Sequence, residues 1–173
     1  MQQISNKSKQ VESMKNWILF GAMFVASLAI VMTVLVLWKA DAPFTDMEKK
    51  AEQLALSSGK LAQVTESYTY NGNNPYVTVL GTDKDGKEKA LFVPISMEEE
   101  LIQQIYMDEG ISKDVALAEL AREAQVSEVL HTKLGFEEAG VVWEISYINE
   151  KDDLNYVYIL FEDGQWWKRI LNL

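Results

Sequence analysis

The sequence predicts an α+β protein: an N-terminal transmembrane helix followed by two tandem units, each a helix laid on an antiparallel sheet. Three observations predict it. Residues Trp17 to Trp38 run without an ionisable side chain. Beyond them, apolar residues at helical spacing give way, twice, to apolar residues at strand spacing. The second helix-and-strands pattern also repeats the first at an offset of about 66 residues.

The apolar run is 22 residues long. At about 1.5 Å per residue it spans roughly 33 Å, enough for a hydrocarbon core of about 30 Å. A tryptophan at each end suits the two interfaces. A cleaved signal peptide has a shorter apolar region, and the nearest small-x-small site, Ala40-Asp41-Ala42, is followed by Pro43, which is unsuited to cleavage. An uncleaved anchor is expected. Lys7, Lys9 and Lys15 against Glu12 place residues 1–16 in the cytoplasm as a tail, residues 17–38 in the membrane and the remainder outside.

From Pro43 onward there are 12 Lys and Arg against 24 Asp and Glu. Such a surface repels nucleic acid and anionic headgroups, so nucleic-acid binding is excluded. The chain has no cysteine. The external domain therefore depends on packing without disulfides.

Thr45-Asp46-Met47-Glu48 reads as a capping box that starts a helix, with Met47, Ala51, Leu54 and Ala55 as its apolar stripe and Ser57-Ser58-Gly59 as its end. Strands follow at Val64–Tyr70 and Tyr76–Thr82, joined at Asn71-Gly72. Asp85-Gly86 turns the chain into Lys89–Ile95, and Leu101–Met107 reads as a further strand. Ser112 is the expected N-cap of a second helix with Val115, Leu117, Leu120, Ala121 and Ala124 on its apolar face. Strands are then expected at Val126–Lys133, Val141–Ile148, Leu154–Glu162 and Trp166–Leu171, the last two joined at Asp163-Gly164. Subdomain boundaries at 43–109 and 110–173 follow, each helix covering one sheet face.

The residues that carry chemistry are few. His131 is the single histidine, and no serine stands in a nucleophile-elbow sequence. Asp83-Lys84-Asp85-Gly86 fails as a calcium loop, because Glu88 and Pro94 stand where a glycine and a carboxylate are required. The acidic groups Glu98-Glu99-Glu100, Glu137-Glu138 and Asp152-Asp153 fall at turns, where solvation is the default. No catalytic, cofactor-binding or metal-ligating residue is expected, and no small-molecule substrate, since Trp143, Tyr147, Tyr156 and Tyr158 fill the interior.

Two features suit partner contacts. Ala22, Ala26, Ala29 and Thr33 share one face of the membrane helix and allow a second helix to approach closely. Trp166, Trp167, Lys168 and Arg169 on the last strand join aromatic and cationic groups on an acidic domain. Strand geometry sends one of the two tryptophans inward and its neighbour to the other face.

Gly81-Thr82-Asp83-Lys84-Asp85-Gly86, Ala90-Leu91-Phe92-Val93-Pro94, Glu109-Gly110-Ile111-Ser112-Lys113 and Val142-Trp143-Glu144-Ile145-Ser146-Tyr147 resemble, in order and spacing, the TseB-like (YpmB) family of membrane-anchored cell wall elongation regulators. The resemblance covers nearly all of the chain after the anchor. It implies two tandem cystatin-like, PepSY-related subdomains. It also implies a non-enzymatic role in peptidoglycan elongation through a class B penicillin-binding transpeptidase. A PepSY-type regulator or inhibitor of an extracytoplasmic peptidase is the alternative that it allows. The chain departs from many relatives at Gln165-Trp166-Trp167-Lys168-Arg169, where they have a Thr-Gly-Lys type turn.

Overall fold

The computed structural model describes residues 2–72 and 74–173, with side chains for 17–36, 46–72 and 74–173. Helix α1 runs Gln2–Ser57. Its stretch Trp17–Val36 is long and apolar enough to cross a membrane, and every side chain in it is exposed. Lys7, Lys9, Glu12, Lys15 and Trp38 lie outside the described side chains.

The expected helix start at Thr45 is not there, because α1 passes through this point. Helix-forming stretches on both sides carry the helix across the one backbone bond that Pro43 cannot make. The side chain of Thr45 is outside those described. Glu48, expected to close the capping box, instead accepts from the Thr69 backbone N–H at 2.9 Å and the Thr69 hydroxyl at 3.3 Å. A carboxylate assigned to a helix end thus ties the helix to a strand.

Residues 44–173 form one compact unit, and residues 1–43 another. Within the larger unit, β1 (Gln63–Asn71), β2 (Pro75–Thr82), β3 (Glu88–Pro94) and β4 (Gln103–Tyr106) make an antiparallel sheet in sequential order. β4 is shorter than the strand expected at Leu101–Met107, because 3-10 turns take Glu99–Leu101 and Met107–Glu109. The β1–β2 connection is longer than a two-residue Asn-Gly turn, since Asn71 still pairs with Pro75.

α2 (Lys113–Glu123) begins where expected, the Ser112 hydroxyl accepting from the Val115 N–H at 3.3 Å. Its buried face is Ala116 and Leu120 with Leu117 and Ala124 beside them, whereas Val115 and Ala121, expected inside, are exposed. The second sheet is β5 (Val126–Glu137), β6 (Gly140–Asn149), β7 (Leu154–Leu160) and β8 (Trp166–Ile170), again antiparallel in order. Positive φ at Gly86 and Gly164, both 78°, lets the two Asp-Gly turns close.

Each helix covers one sheet face. Ala51 and Ala55 of α1 pack with Val77, Val79, Leu91 and Val93. Ala116 and Leu120 of α2 pack with Trp143, Ile145, Val157 and Ile159. The strand residues correspond at an offset of 66, as the repeat predicts, but the helix residues correspond at 65. The extra residue of the second unit lies in the β5–β6 hairpin: β5 still corresponds to β1 at 65, its Val129/His131 register shift matching Val64/Glu66, and β6 to β2 at 66.

The other face of the first sheet meets the second unit. Tyr76, Phe92 and Tyr70 from that face join the core of Leu134 and Trp143. The free edge of β5 is closed by hydroxyl groups. Tyr68 accepts from the Leu134 N–H and donates to its carbonyl, Tyr76 does both at Phe136, and Thr78 adds a donor to the Leu134 carbonyl at 3.0 Å. An unpaired strand edge is costly to bury and prone to wrong pairing in water, and these bonds remove both problems. Burial pushes the phenols of Tyr68, Tyr70 and Tyr76 well above the usual range, so each stays a donor.

Candidate interaction surface

The four β8 candidates do not form one patch. A register shift between Tyr158 and Ile159 makes Trp167 the extra residue in β8, with Ile159 opposite Trp166, Tyr158 opposite Lys168 and Val157 opposite Arg169. Trp166 and Arg169 therefore share the inner face with α2, while Trp167 and Lys168 share the outer face with Tyr158. The inward and outward tryptophans agree with the strand geometry; the return of Arg169 to the side of Trp166 comes from the bulge, which alternation does not foresee.

On the inner face, the Arg169 guanidinium carbon lies 3.7 Å from the centroid of the Trp166 ring, and its Nη2 is 2.5 Å from a Glu123 carboxylate oxygen. Both charged partners are about half exposed, so water screens the pair. The Trp166 Nε1 is buried and has no hydrogen-bond partner among the described residues. An open cleft of about 220 Å³, with Tyr147, Asn155, Trp166 and Arg169 in its wall, lies beside the end of α2.

On the outer face, Trp167 meets Tyr158 edge to face at 5.9 Å, and the Lys168 ammonium lies 5.4 Å from the Tyr158 ring and 5.9 Å from Trp167. Lys168 has no carboxylate within 4.0 Å among the described residues. Burial, with Glu144 adding to it, holds the Tyr158 phenol above its usual range.

The same face contains an arrangement that sequence reading missed. His131 sits between Glu144, 3.0 Å from its Nε2, and Ser146, 2.8 Å from its Nδ1. With a carboxylate accepting at Nε2, Nδ1 accepts the Ser146 hydroxyl, and a neutral imidazole satisfies both. Serine, histidine and carboxylate in a row have the outline of a hydrolytic triad. Ser146 is 1 % exposed, however, so no substrate reaches its oxygen. The contact depends on the Val129/His131 bulge, which sets His131 opposite Ser146; no spacing rule in the sequence foretells it. No group of three His, Asp or Glu able to hold a metal occurs among the described residues.

In the apolar helix, Ala22, Ala26, Ala29 and Thr33 fall on one side, and the Thr33 hydroxyl donates to the Ala29 carbonyl at 2.9 Å. That bond leaves the small-residue face without an outward hydroxyl donor.

Comparison with known proteins agrees with this architecture. Residues 50–94, from the end of α1 through β3, match the family described as the cell wall elongation regulator TseB-like domain. The "Probable cell wall elongation regulator TseB" of Bacillus subtilis (strain 168) is 28% identical over 153 residues, covering 88% of this chain and 93% of its own. The solved structure of the YpmB protein from Bacillus subtilis superposes with a TM-score of 0.60 at 29% identity, over 69% of this chain and 95% of that one. A family domain on the first sheet, a relative aligned over most of both chains and a shared α+β fold lead to one conclusion: this chain carries a TseB-like domain at residues 50–94 and is similar to the B. subtilis proteins over most of their length.

Proposed function

We propose that this chain is a single-pass membrane protein, N-terminus in the cytoplasm, whose extracytoplasmic domain regulates peptidoglycan elongation by binding an elongation-type penicillin-binding transpeptidase. The observation that carries this reading is the alignment with the B. subtilis cell wall elongation regulator across 93% of that protein's length. The +2 flank before the apolar helix supports the orientation.

The role is one of contact and not of catalysis. The serine of the His131–Ser146–Glu144 row is buried, and the hydroxyls of Tyr68, Tyr76 and Thr78 between the sheets are engaged in bonds that hold the two units together. Contacts are made at two levels: by the Ala22, Ala26, Ala29 and Thr33 face within the membrane, and by Trp166, Trp167, Lys168 and Arg169 on the last strand outside it. Residues 43–109 and 110–173 act as its two subdomains.

Crosslinking of the full-length chain in living cells tests the reading. Specific recovery of an elongation transpeptidase is expected. Recovery of an extracytoplasmic peptidase in its place, with no transpeptidase, overturns it.

A further inference from the structure

Two sheets have four faces, and three of them are covered. α1 lies on one face of the first sheet, the second unit on its other face, and α2 on the inner face of the second sheet. Among the described residues, no helix is laid on the fourth, the outer face of the second sheet.

An antiparallel sheet with one wet face normally alternates apolar and polar residues along each strand. β7 does not. Its inner side is Asn155, Val157 and Ile159; its outer side is Leu154, Tyr156, Tyr158 and Leu160. This is the composition of a strand buried on both faces. β6 extends the same outer surface with Val142 and Ile148, with Glu144 and Ser146 between them bonded to His131, and β8 extends it with Trp167 and Ile170. One end is shut by the Tyr70 ring lying against Gly135. Val142 and Tyr158 are buried, while Ile148, Leu154, Tyr156, Trp167 and Ile170 around them are partly exposed. An apolar surface of this extent, aromatic at its centre, is the mark of a protein contact.

The rim says what kind of surface fits. The β6–β7 turn contributes exposed Glu150 and Asp152, with Lys151 between them, at one end, and the β7–β8 turn exposed Glu162 and Asp163 at the other. The domain from Pro43 onward carries a net charge of −12. We propose that the outer face of the second sheet docks a protein surface that is apolar at its centre and rimmed by Lys and Arg. A second copy of this chain does not meet that description, since face-to-face pairing sets the acidic turns against one another. Lys168 lies over the Tyr158 and Trp167 rings inside the acidic frame, its stem covering apolar surface.

The choice of probe rests on the regulator reading above. Full-length chain and full-length elongation transpeptidase, both in detergent micelles, are mixed and their affinity measured at low and high salt. Tyr156→Glu on the outer face and Trp167→Ala beside it are each expected to weaken binding about tenfold or more. Val115→Glu, on the exposed side of α2, is expected to leave it unchanged, and thermal melting establishes that all variants fold. Added salt is expected to weaken binding of the parent chain. If the parent binds while both outer-face variants bind equally well, this surface is wrong and the regulator reading stands. Indifference to salt removes the basic rim, and recovery of the chain's own dimer through Tyr156 overturns the choice of occupant. Absence of binding by the parent overturns the regulator reading and this inference with it.

Discussion

The Tyr68 hydroxyl accepts from the Leu134 N–H at 2.8 Å and donates to the Leu134 carbonyl at 3.3 Å, so a single phenol closes one residue of a strand edge. The two residues stand 66 apart in sequence, one on each sheet. Tyr68→Phe leaves the Leu134 N–H buried without a partner, while Thr78 still serves the carbonyl. The expected loss is about 1–2 kcal/mol, read from chemical denaturation. Tyr76→Phe should cost a similar amount, because it strands both backbone groups of Phe136.

Alkali should undo the same junction. Burial raises the pKa of Tyr68, Tyr70 and Tyr76 in the folded chain above their unfolded values. The stability linked to them is complete below the unfolded tyrosine pKa of about 10 and falls as pH rises beyond it, since only the unfolded chain readily releases the protons. Phenolate absorbance from these residues should appear together with the loss of far-ultraviolet circular dichroism. Ionisation in a chain that remains folded would show that water reaches the junction.

Gly135 tests how closely the sheets approach. A Cβ built there falls 2.3 Å from the Tyr70 ring. Gly135→Ala is expected to destabilise by about 1–3 kcal/mol, as overpacking does. Combined with Tyr70→Leu, which removes the ring, the steric part should vanish, so the two changes will be non-additive in a double-mutant cycle. Additive losses would mean that the ring is not what the new methyl meets.

Much of this was legible from the sequence, and the parts that were not have physical reasons. Helix and strand identities followed from period, since Val141, Trp143, Ile145 and Tyr147 could face a core only as a strand. The α2 face was misjudged because Val115 looked more buriable than Ala116; at the close approach of helix to sheet, the smaller residue fits. Strand alternation puts Arg169 on the side of Trp167, and a bulge that no local sequence signal announces returns it to the side of Trp166. The His131–Ser146–Glu144 row was out of reach for the same reason, because it forms only after two strands pair in a shifted register. The tyrosine clasp joins residues 60 or more apart and has no local signature.

Ser146 should behave as a structural residue. A fluorophosphonate that labels activated serines is expected not to react with it, since it is 1 % exposed. Ser146→Ala removes one buried hydroxyl and leaves Nδ1 of His131 without its donor, costing about 1 kcal/mol. Labelling at Ser146 with first-order loss of a hydrolytic activity would restore the triad reading.

Arg169 should matter to the inner face through stacking more than through charge. Its guanidinium lies flat enough to approach the Trp166 ring centroid to 3.7 Å, while its pair with Glu123 is screened by water. Arg169→Ala is expected to cost about 0.5–1 kcal/mol, and Glu123→Gln less than that. Arg169→Lys should recover little, because an ammonium does not stack as a planar fork does. The Trp166 fluorescence reports the contact directly: a shift in emission with Arg169→Lys but not with Glu123→Gln is the expected result. Equal effects of the two changes on stability, abolished by added salt, would give the ion pair the larger part.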